Sequence, residues 1–212
     1  MALPDPDALP LFPLGLVLFP GEAVPLHIFE DRYRDLVRDC LETDSPFGIV
    51  LVADEKLADV GCAARIERVL QRYEDGRLDI VVVGAERFAI DAVMQERSYL
   101  TARVNAYEPI EQLSIGEERE RVITLHMKLL ELTGDTLRPA IYEGPKRISF
   151  VVAQNAGLDN ARKQEVLELK TEAERLDYLA RYLEALIPEI ETARARRQKV
   201  QSNGHFKGEA HG

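Results

Sequence analysis

Residues 9 to 29, LPLFPLGLVLFPGEAVPLHIF, set four prolines (Pro10, Pro13, Pro20 and Pro25) into a dense apolar run. Proline removes a backbone donor and clashes with the preceding helical turn, so this stretch cannot be a helix. Three readings compete: an export signal, the wall of a folded core, or an adhesive surface for another protein. An export signal needs a basic start and an unbroken apolar stretch, whereas Asp5 and Asp7 make this start acidic and proline interrupts the run. Prolines are tolerated at strand starts, sheet edges and bulges. The run is therefore expected to form short edge strands, turned at Pro20-Gly21, that wrap a sheet.

The chain can bury a substantial core, with 46% hydrophobic residues in 212. Its formal net charge of -10 opposes long-range attraction to phosphate backbones and anionic lipid, so nucleic acid and membrane are disfavoured as partners. No run reaches the ~18 consecutive apolar residues of a membrane span, and a cytoplasmic location is expected. Two cysteines, Cys40 and Cys62, show no paired spacing.

EDRYRDLVRDCLE carries Tyr33, Leu36, Val37, Cys40 and Leu41 at i, i+3, i+4, i+7 and i+8, one face of a helix. Strand patterns follow at 47–53, 65–73, 77–85, 86–94 and 99–107, with Asp75-Gly76 as a hairpin turn that needs positive φ. Evenly spaced short strands predict a closed or nearly closed antiparallel barrel. From residue 114 the period turns helical. Ser114 with Glu117 reads as a capping box, and Gly134 closes that helix. Further helices follow Gly144-Pro145, cover DNARKQEVLEL, and begin at Thr171, whose hydroxyl caps while Glu174 reaches back. Pro188 is expected to kink the last. The fold class is α+β: a β-rich subdomain at 9–110, a helical subdomain at 114–200 and a flexible tail at 201–212.

No constellation for bond-breaking chemistry emerges. His27, His126, His205 and His211 form no metal-ligand pair, and His27 reads as a structural histidine bonded to backbone. Ser149 with Lys146 is an accidental helical pair, and no serine lies in G-x-S-x-G. No cofactor or metal is expected.

The segment LPLFPLGLVLFPGEAVPLHIFEDRYRDLV, then PFGIVLV, GCAARIERVLQRYEDGRLDIVVVGAERFAI, and ARKQEVLEL with AERL, resembles the N-terminal substrate-binding domain of the ATP-dependent Lon protease. The resemblance spans residues 9 to 190 and is closest to stand-alone bacterial members consisting of this domain only. It implies a PUA-like β-barrel followed by a helical bundle, and recognition of protein substrates; a related domain occurs in the ubiquitin-ligase receptor cereblon. Asp31 stands where many relatives carry proline, and both suit a first helical turn. A phosphate loop G-x-x-x-x-G-K-[ST] is absent from this sequence, as is a Ser-Lys peptidase domain.

The leading expectation is a non-enzymatic module that binds unfolded or exposed apolar polypeptide, with a separate protease or chaperone as a further partner. Phe12, Leu16, Phe19, His27, Phe29 and Tyr33 are the candidate peptide-binding residues, rimming a groove near the subdomain junction. RNA binding through Arg65, Arg68, Arg72 and Arg77, and small-molecule binding, are the alternatives.

Overall fold

The computed structural model describes residues 8–107, 116–136, 139–143 and 147–204. Seven strands come first: β1 (Leu9–Leu14), β2 (Ala23–Ile28), β3 (Phe47–Ala53), β4 (Lys56–Leu57), β5 (Val60–Arg72), β6 (Leu78–Met94) and β7 (Thr101–Ala106). Helix α1 (Asp31–Thr43) lies between β2 and β3. Helices α2 (Gly116–Thr133), α3 (Ile148–Asn155), α4 (Asn160–Glu168) and α5 (Glu172–Gly204) complete the chain. The α+β class is thus as expected, with strands before helices.

The ladder runs β1-β7-β6-β5-β3, and β1 also pairs with β3, which closes the ring. That last pairing is parallel, so the barrel is mixed rather than purely antiparallel. It also moves β1 from the expected edge into the wall. Its two prolines are tolerated because each sits where one neighbour has no ladder. Pro10 precedes the β3 pairing, which begins at Leu11. The β7 pairing ends at Pro10. Leu11 N–H donates to Leu100 O on that side at 2.8 Å, so Pro13, two residues on, faces a stretch where no donor is required.

Both faces of β1 are buried, which explains why its sequence is apolar without alternation. Leu9 and Leu11 join Phe88, Val50 and Val104 in one cluster, while Phe12 packs with Phe47, Ile49 and the inner face of α1. A third cluster takes Val17 and Phe19 from the same run, together with Leu51 and Val60 and the helices. The run from residue 9 to 29 therefore feeds all three cores. Within that run only β2 is an edge, pairing with β6 alone among the described residues.

Strand β6 is one continuous strand of 17 residues where two shorter ones are predicted from sequence. Its first part pairs with β2 and β5, and its second with β7. At the β5–β6 hairpin, Gly76 N–H bonds Tyr73 O at 3.0 Å and only Gly76 takes positive φ (86°). Asp75 does not, because the loop is a type I turn followed by a left-handed glycine rather than a two-residue turn.

Gly84 marks a close backbone approach. It exchanges bonds with the β1–β2 turn, Gly21 N–H to Gly84 O at 2.8 Å and Gly84 N–H to Glu22 O at 2.9 Å. A Cβ there would stand 2.1 Å from Phe19 O. Backbone cannot swing aside as a side chain can. Gly84→Ala is expected to cost about 1–3 kcal/mol, measured as a lower midpoint in urea.

The capping box at Thr171 forms as expected: Thr171 N–H donates to Glu174 Oε2 at 2.9 Å and Glu174 N–H to Thr171 Oγ1 at 3.1 Å. Helix α5 passes through Pro188 without ending and runs to Gly204, so residues 201–204 are helical rather than tail. Gly134 follows α2 at φ 82°. Ser114, the Gly144-Pro145 pair and the boundary between the halves lie outside the described residues.

Candidate functional site

Strand β2 alternates cleanly. Leu26 and Ile28 point into the α1 cluster, while Pro25, His27 and then Phe29 face out. Phe29 is 61% exposed, an unusual state for so large an apolar ring. Beside it, the imidazole of His27 stacks at 6.0 Å and meets Tyr73 edge-on at 6.0 Å. Asp79, opposite His27 in the ladder, ties the group together. Its Oδ1 accepts from His27 Nδ1 at 2.5 Å and its Oδ2 from Tyr73 Oη at 2.7 Å. These bonds, that from His27 foremost, hold the Asp79 carboxyl below its ordinary range. Leu70, 53% exposed, occupies the bulge where the β5 register shifts between Val69 and Gln71, and Gln71 is opposite Asp79. Phe29, His27 and Tyr73 thus group on the outer side at the ends of β2 and β5, and the exposed Leu70 lies on β5, three residues before Tyr73.

This placement corrects much of the expectation. Phe12, Phe19 and Tyr33 are 4%, 0% and 7% exposed, and so are core residues. Phe12 meets Tyr33 in a tilted contact at 4.1 Å, and Phe19 stacks against Phe150 at 5.6 Å. Leu16 is half-buried against the α1 cluster. Of the six, only His27 and Phe29 come together at the surface, on the barrel and not at the junction. His27 bonds a carboxylate, where backbone is the expectation. Sequence reasoning missed Leu70 and Tyr73; their signal is that both flank the Asp75-Gly76 turn, where apolar side chains have little to pack against.

The subdomain junction is a buried polar lock instead. Arg175, fully buried, spends its guanidinium on Glu172 Oε2 (2.8 Å), Ser149 Oγ (2.9 Å) and Leu169 O (2.7 Å). Ser149 donates in turn to Glu172 at 2.6 Å. From the barrel, Arg87 reaches Leu167 O at 2.6 Å and Leu169 O at 2.7 Å, and Tyr107 Oη reaches Glu168 O at 2.6 Å. Three carbonyls at the end of α4 are so capped by the barrel. Burial, and next the nearby Arg175 charge, push Arg87 down to about 10.

Reactive groups are dispersed. Burial pushes the Cys40 thiol up to about 11 and raises that of Cys62 further. His126 is buried, its Nδ1 2.7 Å from Tyr142 Oη, and burial lowers its pKa. Among the described residues no three His, Cys, Asp or Glu side chains gather as a metal site, and no helix is long and apolar enough to cross a membrane. Arg68, Arg72 and Arg77 do line β5 and its hairpin, but Arg77 pairs with Asp75 at 2.7 Å. Arg72 shares a shallow concavity with Arg34 and Arg38, and Asp31 and Asp35 offset them there.

A closed barrel fused to a helical bundle places the protein among α+β domains of the Lon N-terminal type. One solved example is the Lon N-terminal domain protein from Xanthomonas campestris, with a TM-score of 0.67 and 29% identity over 82% of this chain and 96% of that one. The N-terminal domain of Mycobacterium avium complex Lon protease shares the fold, with a TM-score of 0.62 and 21% identity over 84% of this chain and 98% of that one. The family model described as the ATP-dependent protease La (LON) substrate-binding domain matches residues 8–185, and the chain belongs to that family. It is 30% identical to Lon protease 2 of Myxococcus xanthus over 182 residues, and 27% identical to Lon protease of Parabacteroides distasonis over 194. These alignments take in 77% and 82% of this chain but only 22% and 24% of those proteins.

Proposed function

We propose that this chain is a non-catalytic recognition module that binds exposed apolar segments of polypeptide on the outer face of β2, β6 and β5. Membership of a substrate-binding family supplies the class of partner. The observation that carries the location is the exposed Phe29, grouped with His27 and Tyr73 at the ends of strands rigidly paired within the barrel, with the exposed Leu70 on β5. Aromatic and leucine side chains bury apolar area without demanding a sequence, which suits weak and tolerant binding. The open side of β2 adds main-chain pairing for an extended segment, with Pro25 removing a donor that would otherwise invite promiscuous edge contacts. Handing the bound segment to a separate protease or chaperone is the role such a module would serve.

Titrating a fluorescent, reduced and permanently unfolded model protein tests this reading. Binding in the micromolar range is expected. The Phe29→Ser, Leu70→Ser double variant is expected to weaken it about tenfold, or ~1.4 kcal/mol, at an unchanged melting temperature. No binding at high micromolar concentration, or full binding by the double variant, refutes it.

A further inference from the structure

A cavity of about 300 Å³ lies between the last turn of α1, the start of β1 and the β6–β7 loop. That is the lower end of the range for specific ligand sites. Leu9, Pro10, Cys40 and Pro46 give it an apolar wall, and Arg97 and Ser45 stand on its polar side.

Arg97 is held in place by partners that leave part of its fork free. Its Nη1 donates to Tyr99 Oη at 2.8 Å and to Asp39 Oδ2 at 3.3 Å. Tyr99, itself buried, donates to Asp39 Oδ2 at 2.8 Å, and Arg38 Nη2 donates to Asp39 Oδ1 at 3.2 Å. Both oxygens of Asp39 are so occupied. The hydrogen bonds Arg97 makes within the described residues run through Nη1, its guanidinium carbon lies 5.8 Å from the Tyr99 ring centroid, and Nε and Nη2 carry hydrogens not used in those bonds. A guanidinium anchored on one side and open on the other is preorganised for a carboxylate. On the same side, Thr43 Oγ1 donates to Asp39 O at 2.7 Å, and Ser45 Oγ lies 2.7 Å from Thr43 Oγ1. With the Thr43 proton committed, Ser45 donates to Thr43; the neighbouring Cys40 thiol engages one of its lone pairs and the other is kept for an incoming N–H.

An apolar wall, a cationic fork and one acceptor match the last residue of a polypeptide: side chain, carboxylate and amide N–H. We propose that this cavity binds the C-terminal residue of polypeptides ending in an apolar side chain, with its carboxylate on Arg97 and its amide on Ser45. The inference rests on the reading of the chain as a polypeptide-recognition module but uses a site separate from the β2 face. An internal segment offers no carboxylate beside an apolar side chain on the same residue, so the cavity would select chain ends.

Fluorescence anisotropy with a labelled Gly/Ser peptide ending in leucine, compared with the same peptide amidated at its C-terminus, tests it. The free acid is expected to bind about tenfold tighter than the amide, a difference of ~1.4 kcal/mol. Arg97→Gln is expected to erase that preference, and Arg97→Lys, which keeps the charge but not the fork, to restore part of it. Unchanged circular dichroism melting shows that each variant is folded. Equal binding of acid and amide by the wild type, or a full preference in Arg97→Gln, overturns the proposal. The two readings fail separately. The Phe29→Ser, Leu70→Ser variant is expected to keep the acid preference while losing unfolded protein. A wild type that binds unfolded protein but ignores the terminal carboxylate retains the β2 face and loses the cavity.

Discussion

Glu172→Ala is expected to destabilise the protein by about 3–5 kcal/mol, the scale on which removing one partner of a buried ion pair strands the other. Arg175 would remain fully buried without the carboxylate to which it is bonded. Ser149 would lose the acceptor of its hydroxyl and of its backbone N–H, which lie 2.6 and 3.0 Å from Glu172. A shift in the urea midpoint at unchanged slope measures the cost. The double change Glu172→Leu, Arg175→Met is expected to recover most of it, because the penalty lies in the uncompensated charge and not in the missing attraction. A single variant within about 0.5 kcal/mol of wild type would show that the lock opens to solvent.

Leu36→Asp is expected to cost about 4 kcal/mol or more, most of the stability of a domain at the low end of the usual range of about 5–15 kcal/mol. Leu36 is fully buried among Tyr33, Val37, Cys40 and the strands that α1 covers. A carboxylate placed there would lose hydration without finding a partner, since the arginines of α1 are bonded on its outer side to Glu30, Asp31, Asp35 and Asp39. Loss of the cooperative far-ultraviolet melt would report it. Near-normal melting would mean that this face of α1 is not the packed one.

The inner face of α1 was legible because a single helix face was buried, and the period of 3.6 records that directly. The same holds for β3, whose predicted and observed limits coincide at 47 and 53. β1 was harder for a physical reason. A strand buried on both sides has no alternation, and its prolines argued for an edge that the closing pair with β3 removes. Phe12, Phe19 and Tyr33 misled in the same way, since composition cannot say which of many apolar side chains the surface keeps. Exposure at Phe29 and Leu70 is decided by strand pairing and by a bulge, both tertiary facts. Arg87 and Arg175 left no trace in the sequence at all. Arginine reads as a surface residue until the carbonyls and the carboxylate that bury it are in place.

The cluster that joins Val17, Phe19, Leu51 and Val60 to the helices carries a practical lesson for anyone wishing to graft this domain elsewhere. Cutting after β7 would bare those four side chains and leave the Arg87 guanidinium facing nothing, so the excised barrel would aggregate before it could be assayed. As an engineering part it is indivisible: a designer must transplant strands and bundle together, and any hinge has to be built outside them.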